Sequence, residues 1–353
     1  MSAQNRNMST YLITGGAGFL GSHLAHRLLK DGHGVILLDI APLEDRDLIG
    51  HVEFHQGDVR NPTLLENLAQ KASVIIHCAA SLPLASKKEI LSTNIDGTRS
   101  ALEAGLKARI KRFINISSTA VYGISEKHPN EESDPLIEEG AYGRSKIIAE
   151  NLCEHYKSKG LVVTTLRPKT FIGIGRLGIF AILFEWVRSG KRIPVIGNGK
   201  NRYQLLSVDD LVDFIVLASE AGPDVANDTY NIGALEFDTV QEDFEKLFTV
   251  AKTGARLRKV PAPFAKFFLR IFEVMGLSPL YKWVYGTADK DSYVSIEKAC
   301  RAFNWQPKKS NARALIETYE WYCAHWKEYK DRQGITSRAP WKEGILKVVK
   351  WLS

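Results

Sequence analysis

The sequence predicts an α/β protein with a doubly wound parallel sheet and a smaller, interleaved C-terminal lobe. Three observations support this fold class. Short apolar runs alternate with helical patterns in the first half of the chain, a glycine-rich turn joins the first run to the first helix, and the alternation loosens after Pro168. Short apolar runs joined by helices indicate parallel strands connected by right-handed crossovers.

Six strands are predicted in the first half of the chain. Apolar runs indicate buried strands at residues 11–14, 35–38, 52–54, 74–77, 113–116 and 161–166. Helical patterns fill most of the intervals, ending at residue 30 and covering residues 62–71, 87–107 and 142–158. This alternation is typical of βαβ units. The chain has 353 residues, of which 44% are hydrophobic, and this is enough for a sizeable core.

The second half is less regular, and six glycines punctuate residues 173–199. A helical pattern at 209–220 and a strand pattern at 229–232 still have to return to the sheet. We therefore expect a first domain over 10–168, to which residues 203–232 return. Residues 169–202 and 233–330 form the smaller lobe in this interpretation, and residues 331–353 form a basic amphipathic tail.

The net charge of +7 is unevenly distributed. Residues 251–353 contain 20 Lys and Arg against 9 Asp and Glu, and they hold six of the seven tryptophans. A basic, aromatic segment suits nucleotides, phosphates or an anionic lipid surface, and a solvated basic face is the alternative. No zinc-finger spacing or RNA-binding motif indicates nucleic-acid binding.

The sequence also favours a cytoplasmic location. Four scattered cysteines have no metal-ligand spacing, so we expect reduced thiols and no metal site. No window approaches the roughly 20 apolar residues of a membrane span. The first nine residues are polar and lack the apolar segment of a signal peptide. The basic C-terminal third leaves a peripheral membrane contact open.

The glycine-rich turn at residues 14–21 predicts a dinucleotide site. Gly16, Gly18 and Gly21 fit the G-x-G-x-x-G pattern between a strand and a helix, which is the context that the motif requires. Glycine lets the backbone approach a pyrophosphate, whose charge the helix N-terminus stabilises. The residues expected at the cofactor here are Gly15, Gly18, Phe19, Leu20 and Gly21.

An aspartate predicts which dinucleotide binds. Asp39 ends the second strand, where a carboxylate accepts hydrogen bonds from the ribose hydroxyls and repels a 2′-phosphate. The next residues, Ile40, Ala41 and Pro42, include no arginine to hold such a phosphate, so the sequence favours NAD over NADP. Asp58 and Val59 follow the third strand; they are candidates for adenine contact, and an ordinary turn aspartate is the alternative.

A catalytic pair is predicted at the other end of this half. Tyr142 and Lys146 are four residues apart and therefore share one face of a helix. A lysine ammonium beside a phenol lowers the pKa of the phenol and prepares it to accept a proton. Ser118 follows a strand of the same sheet, at the edge where open sheets bind ligands, and its hydroxyl can bond the reacting oxygen.

Together these motifs carry a resemblance. The chain resembles the extended short-chain dehydrogenases/reductases of the NAD-dependent epimerase/dehydratase family, from about residue 10 to about residue 307. Further matching segments are 77–80, 94–98, 167–168 and 202–211. The resemblance implies a Rossmann-type enzyme that uses NAD, a substrate-binding smaller lobe and a homodimer.

The resemblance also implies roles for single residues. Tyr142 would be the catalytic acid/base, Ser118 would share the substrate oxygen, and Lys146 would also bind the nicotinamide ribose. Further residues expected to contact the cofactor or order its site are Asp58, Val59, Ala79, Ala80, Asn94, Ser117 and Pro168. Residues expected at the substrate are Ser81, Ser118, Thr119, Thr170 and Arg202.

One departure from the family narrows the reaction. Its dehydratases carry an Asp-Glu pair directly after the catalytic Ser or Thr, where this chain has Thr119 and Ala120. Neither side chain can act as a general acid or base. We therefore predict 4-epimerisation of a nucleotide-linked sugar through a 4-keto intermediate. Arg202 matches the family's diphosphate-binding arginine, and an arginine fork suits phosphate.

Two features keep a hydrophobic substrate open. The family's second phosphate-binding arginine has no counterpart, and Lys290 lies near its place. Residues 261–283 are rich in phenylalanine, including Phe264, Phe267 and Phe268. This segment packs a core, forms an apolar substrate wall or touches a membrane. The alternative function is an NAD-dependent dehydrogenase or ketoreductase of a hydrophobic alcohol, similar to 3β-hydroxysteroid dehydrogenases, or an epimerase of a lipid-linked sugar.

Overall fold

The computed structural model of the chain describes residues 8–274 and 282–329. The strands are β1 Thr10–Thr14, β2 Gly34–Asp39, β3 Glu53–Gln56, β4 Val74–His77, β5 Arg112–Ile116, β6 Val163–Pro168, β7 Phe171–Ile172, β8 Arg192–Ile196, β9 Leu206–Ser207, β10 Thr229–Ile232 and β11 Arg256–Val260. The helices are α1 Phe19–Lys30, α2 Pro62–Ala69, α3 Lys87–Leu91, α4 Gly97–Ala108, α5 Gly140–Lys157, α6 Ile179–Arg188, α7 Val208–Glu220, α8 Pro223–Ala226, α9 Val240–Ala251, α10 Ala262–Val274, α11 Lys282–Thr287, α12 Glu297–Phe303 and α13 Asn311–Tyr329.

Seven of these strands form one sheet in the order β3-β2-β1-β4-β5-β6-β10. Every neighbouring pair in it is parallel. The strand order reverses between β1 and β4, and open sheets of this class bind ligands beyond the carboxyl ends of the strands at such a point. The predicted doubly wound Rossmann sheet is confirmed.

Helices cover both faces of the sheet because successive strand side chains point to opposite faces. On one face, Ile13 of β1 belongs to the same buried cluster as Leu24 of α1 and Phe214 of α7. On the other face, Leu12 of β1 clusters with Leu102 of α4. Both faces bury apolar side chains, so each central strand is a continuous apolar run. This is why the sequence pattern found these strands.

The stretch predicted as one helix over 87–107 is helical but not uniform. A π-helical turn at Ser92–Asp96 separates α3 from α4. A π-helical turn admits one extra residue per turn, and it is frequent at functional sites. Here the turn contains Asn94, whose side chain is buried.

Elements outside the main sheet form a further apolar cluster in the region predicted as the smaller lobe. There β8 pairs with β11, and Phe184 of α6, Leu247 of α9 and Tyr319 of α13 share this cluster. The chain nevertheless returns to the sheet through α7 and β10. The predicted limits of the lobe remain an interpretation, and the predicted tail at 331–353 lies outside the described residues.

Two features that would change the functional class are not found in the described part of the chain. Within residues 8–274 and 282–329, no helix is long and apolar enough to cross a membrane. In the same ranges, no three His, Cys, Asp or Glu side chains form a group that could hold a metal ion.

Candidate active site

The glycine turn between β1 and α1 is tightly constrained. Gly15 has a φ of +70°, and a Cβ on it would lie 2.8 Å from the Ala79 nitrogen. A Cβ on Gly21 would lie 2.4 Å from the Gly15 oxygen. Helix α1 begins with no side-chain cap at Gly18, so the backbone N–H groups of its first turn remain able to bind an anion. The turn therefore fits a pyrophosphate, with Phe19 and Leu20 opening the helix.

Asp39 lies at the carboxyl end of β2 and faces this turn. One of its carboxylate oxygens accepts a hydrogen bond from the Ala17 nitrogen at 3.0 Å, and the other accepts one from the Ala41 nitrogen at 2.9 Å. These bonds fix the carboxylate beside the glycine turn. A carboxylate fixed there is suited to the two ribose hydroxyls of NAD.

The neighbouring Asp58 has a strong partner within the chain. Both of its oxygens bind the Arg60 guanidinium, at distances from 2.5 to 3.0 Å, and this ion pair lowers the pKa of Asp58. Val59 is buried, and a Cβ on Gly97 would lie 2.6 Å from its side chain. The predicted adenine contact remains a prediction, and these contacts favour the turn-aspartate alternative.

Asn94 links the cofactor edge to the catalytic helix. Its side-chain oxygen accepts from the Ser81 nitrogen at 2.7 Å, and its amide donates to the Ser145 hydroxyl at 2.9 Å. Ser81 follows β4, along with Ala79 and Ala80, whereas Ser145 belongs to α5. The π-helical turn thus lets one buried amide hold the loop after β4 against the helix that carries Tyr142.

The predicted catalytic residues come together at the end of β5. The Ser118 side chain forms a hydrogen bond with Tyr142 and accepts another from the Ala120 nitrogen at 3.1 Å. Burial raises the pKa of Tyr142, while the bond to Ser118 and the charge of Arg176 act in the opposite direction. Because Ser118 caps the 3₁₀ turn Thr119–Tyr122, its hydroxyl has a fixed position.

Lys146 is close to Tyr142 but forms its hydrogen bond elsewhere. Its ammonium donates to the Ile116 oxygen at 2.8 Å and lies 5.9 Å from the centre of the Tyr142 ring. Burial lowers the pKa of Lys146 to about 8. Lys146 and Tyr142 thus share one helix face, as predicted. The lowering of the Tyr142 pKa by the Lys146 ammonium remains a prediction.

A buried ion pair joins strand β6 to helix α5, which carries Tyr142 and Lys146. Arg167 of β6 binds Glu150 of α5 at 2.7 Å and donates to the Tyr122 hydroxyl at 2.9 Å. The Ser117 hydroxyl donates to the same Glu150 carboxylate. This bond commits the Ser117 side chain to the scaffold, and its predicted cofactor contact remains a prediction. Pro168 ends β6 directly after Arg167.

One of the predicted substrate residues, Thr119, lines a cavity, whereas Ser81, Ser118, Thr170 and Arg202 are not part of its lining. The lining also includes Tyr293. Arg202 is exposed and lies next to this lining, with its guanidinium 5.1 Å from the centre of the Tyr293 ring and 4.5 Å from that of Phe237. The Thr170 hydroxyl lies 3.4 Å from the Tyr203 hydroxyl. Lys290 also lines the cavity.

Two basic residues that the sequence analysis did not select also belong here. The Arg176 guanidinium lies 5.3 Å from the ring centres of both Phe19 and Phe171, and its charge reaches Tyr142. Lys169 is only 2% exposed and lines the cavity. Arg176 has no motif or periodic pattern to mark it. Lys169 directly follows the matching segment 167–168, but its contacts join distant parts of the chain and are not visible in the sequence.

The phenylalanine-rich segment does not pack into a core. Phe264 and Phe267 are each 61% exposed on α10, and neither lines the cavity beside Thr119. The core-packing interpretation is therefore wrong for these residues. Both phenylalanines lie on the exposed face of α10. Residues 275–281 of this segment lie outside the described residues.

Comparison with known proteins decides the family. The family model described as "NAD dependent epimerase/dehydratase family" matches residues 11–233. The chain belongs to this family. It is an NAD-dependent enzyme of the extended short-chain dehydrogenase/reductase type, as the motifs predicted.

Three similar proteins illustrate the relationship. The "Uncharacterized protein y4nG" of Sinorhizobium fredii is 34% identical, over 98% of this chain and 87% of that protein. A UDP-glucose 4-epimerase of Mycolicibacterium smegmatis is 30% identical, over 88% of this chain and 97% of that protein. The crystal structure of a UDP-glucose 4-epimerase from Thermotoga maritima with UDP-glucose matches with a TM-score of 0.76 and 25% identity, over 90% of this chain and 99% of that one.

Proposed function

We propose that the enzyme interconverts the C4 epimers of a nucleotide-linked sugar by transient oxidation at C4. The observation that carries the proposal is the placement of Ser118 beside Tyr142, whose pKa it lowers, at the carboxyl edge of the sheet, with Lys146 on the same helix face. A phenol and a hydroxyl in this arrangement can hold one substrate oxygen between them. The relatives named as UDP-glucose 4-epimerases support the same assignment.

The reaction uses the chain's residues to move one proton. Tyr142 accepts the proton of the C4 hydroxyl, while the Ser118 hydroxyl holds the same oxygen by a hydrogen bond. NAD⁺, held by the glycine turn and Asp39, would supply the oxidant for C4. The 4-keto sugar then turns in the site, is reduced on its other face and receives the proton back from Tyr142. The cycle consumes no cofactor.

Tyr142 must be deprotonated before it can accept a proton. Burial opposes this by raising its pKa, whereas the Ser118 hydrogen bond and the Arg176 charge favour it. Ser118 and Arg176 therefore act together against the burial of the phenol. The additional effect expected from the Lys146 ammonium remains a prediction.

The residues after Ser118 argue against loss of water. A dehydratase needs an acid and a base beside the substrate, and this chain places Thr119 and Ala120 there. Thr119 lines the cavity, and Ala120 is buried in the 3₁₀ turn. With no carboxylate at either position, we assign redox-neutral inversion in preference to dehydration.

The substrate is proposed to lie in the polar cavity between the sheet edge and the smaller lobe. Thr119 lines it on the catalytic side, and Arg202 lies beside its outer wall at Tyr293. An exposed guanidinium can bind a diphosphate through two parallel hydrogen bonds. We propose Arg202 and Thr170 as contacts of the nucleotide-sugar diphosphate, and Ser81 as a contact on the side of the sugar.

Turnover of nucleotide sugars tests the proposal. The NAD-loaded enzyme is incubated with UDP-, dTDP- and GDP-hexoses, and the sugars are separated after hydrolysis. We expect C4 inversion of at least one substrate without net formation of NADH. Absence of inversion with every nucleotide sugar would overturn the proposal.

The same assay also tests the second candidate function, a dehydrogenase of a hydrophobic alcohol. A dehydrogenase of a hydrophobic alcohol would form one NADH for each alcohol oxidised, with a sterol as the probe. The described cavity has a polar lining and the α10 phenylalanines lie outside it, so we expect no such turnover.

A further inference from the structure

Lys169 is a buried cation at the catalytic edge of the sheet. It follows β6 directly, and its backbone nitrogen donates to the Ile232 oxygen at 2.8 Å, which fixes the start of its side chain. The side chain passes over the Tyr203 ring, 4.9 Å from its centre, and the ammonium donates to the Ser292 hydroxyl at 2.8 Å. Both contacts are with neutral groups.

No carboxylate lies within ion-pair range of Lys169 in residues 8–274 and 282–329. Arg167, two positions earlier, is also buried, but it forms an ion pair with Glu150. Burial alone lowers the pKa of Lys169 to about 7. A buried charge without a counter-charge is costly, and such groups concentrate at binding sites.

The surroundings of Lys169 are open on one side. It lines the cavity that Thr119, the neighbour of Ser118, also lines. His128 lines the same cavity, and its Nε2 is buried with no hydrogen-bond partner among the described residues. Asp291 also lines this cavity, and its carboxylate accepts from the Arg202 backbone nitrogen at 2.8 Å. The cavity thus contains a buried ammonium without an ion pair and a buried imidazole nitrogen without a hydrogen-bond partner in the described part of the chain.

We propose that Lys169 binds an anionic oxygen group of the substrate, which is a carboxylate on the sugar or the diphosphate. This inference rests on the proposed function and deepens it, because it selects an acidic group as the feature that the site recognises. An anion in contact with the ammonium replaces the missing counter-charge and restores the protonated form of the lysine.

Three ligands and one variant distinguish the sources of the anion. Dissociation constants of the NAD-loaded enzyme are measured for UDP, a neutral UDP-hexose and a UDP-hexuronic acid. We expect Lys169→Met to weaken the ligand that supplies the anion at least about tenfold. Loss confined to the uronic acid identifies the sugar carboxylate, and an equal loss with all three identifies the diphosphate.

The control is Lys298→Met, which removes a lysine that pairs with Asp228 outside the cavity and should leave all three constants unchanged. Unchanged binding by Lys169→Met would overturn the role of Lys169 but not the proposed function. Failure of the parent enzyme to bind any of the three ligands would overturn the proposed function. If Lys169→Met does not fold, proton uptake decides: the parent enzyme should take up most of one proton on binding at pH 8, and no uptake contradicts the inference.

A second, independent observation concerns the outer surface of the smaller lobe. Helix α10 exposes Phe264, Phe267, Phe268 and Ile271, whose spacing places them on one face. A contiguous exposed apolar face of this kind marks a contact surface. We call these four side chains the α10 face.

Basic residues accompany the α10 face. Residues 255–274 contain five Lys and Arg and one Asp or Glu, and one of the five, Lys266, pairs with Asp289. Arg256 of β11 is exposed and in register with Arg192 of β8, also exposed, and neither has an ion-pair partner in the described part of the chain. Neighbouring like charges on adjacent strands repel, so this surface favours an anionic partner.

The geometry points to a bilayer surface with anionic headgroups as that partner. Phenylalanines on one side of a helix enter the headgroup boundary, and nearby arginines bind lipid phosphates. A second copy of the chain would bring two such basic surfaces together. Residues 330–353 are also basic, with six Lys and Arg against two Asp and Glu, so the same repulsion applies to them.

Vesicle flotation tests this surface. The full chain should float with vesicles of phosphatidylcholine and phosphatidylglycerol, and less with phosphatidylcholine alone. Phe264→Ser with Phe267→Ser should reduce the bound fraction at least about fivefold. The matched control is Ile49→Ser, at another exposed apolar residue, and it should bind as the parent does.

Unchanged flotation of the double variant, or equal flotation with both lipid mixtures, would overturn the proposal. A double variant that loses dimerisation while its vesicle binding stays intact would also overturn it, because the α10 face would then be a contact between copies. NAD binding serves as the measure of folding in each case.

Discussion

The cofactor side and the substrate side of the sheet edge differ in how far the chain satisfies its own polar groups. Beside the glycine turn, Asp39 and Asn94 both have hydrogen-bond partners within the chain. Beside the cavity, Lys169 has one neutral hydrogen-bond partner, and His128 Nε2 has none among the described residues. Groups satisfied by the chain are pre-organised, whereas buried groups left open are stabilised by what binds. This difference supports the proposal that the substrate is recognised by its charge, at a site where the chain leaves a buried ammonium without an ion pair.

The largest expected effect comes from the residue between the two sides. Tyr142→Phe removes the proton acceptor and should lower kcat about 10²- to 10⁴-fold while NAD binding stays within a factor of two. Steady-state turnover and NAD titration measure the two quantities. Tyr156→Phe is the control. Tyr156 lies on the same helix as Tyr142, but its hydroxyl binds Glu103 of α4, away from the site. Retained turnover in Tyr142→Phe would contradict the assignment.

The pre-organisation of the cofactor side can be broken at the glycine turn. In Gly21→Ala the new Cβ would lie 2.4 Å from the Gly15 oxygen, so the turn must shift. We expect a loss of about 1–3 kcal/mol in the free energy of NAD binding or of unfolding, measured by titration and by urea denaturation. Gly222→Ala is the control, since a Cβ there meets nothing within 4 Å. Equal behaviour of the two variants would contradict the constraint.

The cofactor side could be predicted from the sequence more fully than the substrate side. The strands of the sheet are recognisable because both of its faces are buried, and the glycine turn because its geometry excludes a Cβ. Tyr142 and Lys146 are recognisable because four residues make one helical turn. All of these signals are local.

The substrate side has no comparable local signal. Lys169 meets Ser292 across 123 residues of sequence, and nothing near Lys169 in the chain marks that contact. The π-helical turn around Asn94 is hidden in the same way, because a helical pattern continues across it. Core packing was one of three interpretations of the α10 face, because apolar helix faces usually point inward, and here that face points outward.

Cofactor choice offers a smaller effect on the satisfied side. Asp39→Asn keeps the hydrogen-bond acceptor but removes the charge that repels a 2′-phosphate, so the preference for NAD over NADP should fall about tenfold. The ratio of the two dissociation constants measures it. Asp45→Asn, in the loop that follows β2, serves as the control. An unchanged ratio would show that Asp39 does not select the cofactor.

The remaining effect concerns the unsatisfied side without any ligand. The folded pKa of Lys169, about 7, lies below its ordinary value of 10.5, so between these values the unfolded chain binds more protons. The Lys169 contribution to stability is therefore present above this window and is lost as the pH falls toward 7, by at most about 1.4 kcal/mol per pH unit. Urea midpoints across pH 7–10 should show a slope in the parent that is shallower in Lys169→Met. Parallel slopes would contradict the buried, unpaired charge.

The central claim is that hydrogen leaves C4 of a nucleotide sugar and returns to the same carbon on its other face. A sugar nucleotide carrying deuterium at C4 tests it most directly, with the product examined by mass spectrometry and NMR. The account predicts a C4-inverted product that still carries the deuterium at C4, with no net NADH. Inverted product that has lost the label to solvent, or labelled NADH formed in proportion to the substrate consumed, would contradict it.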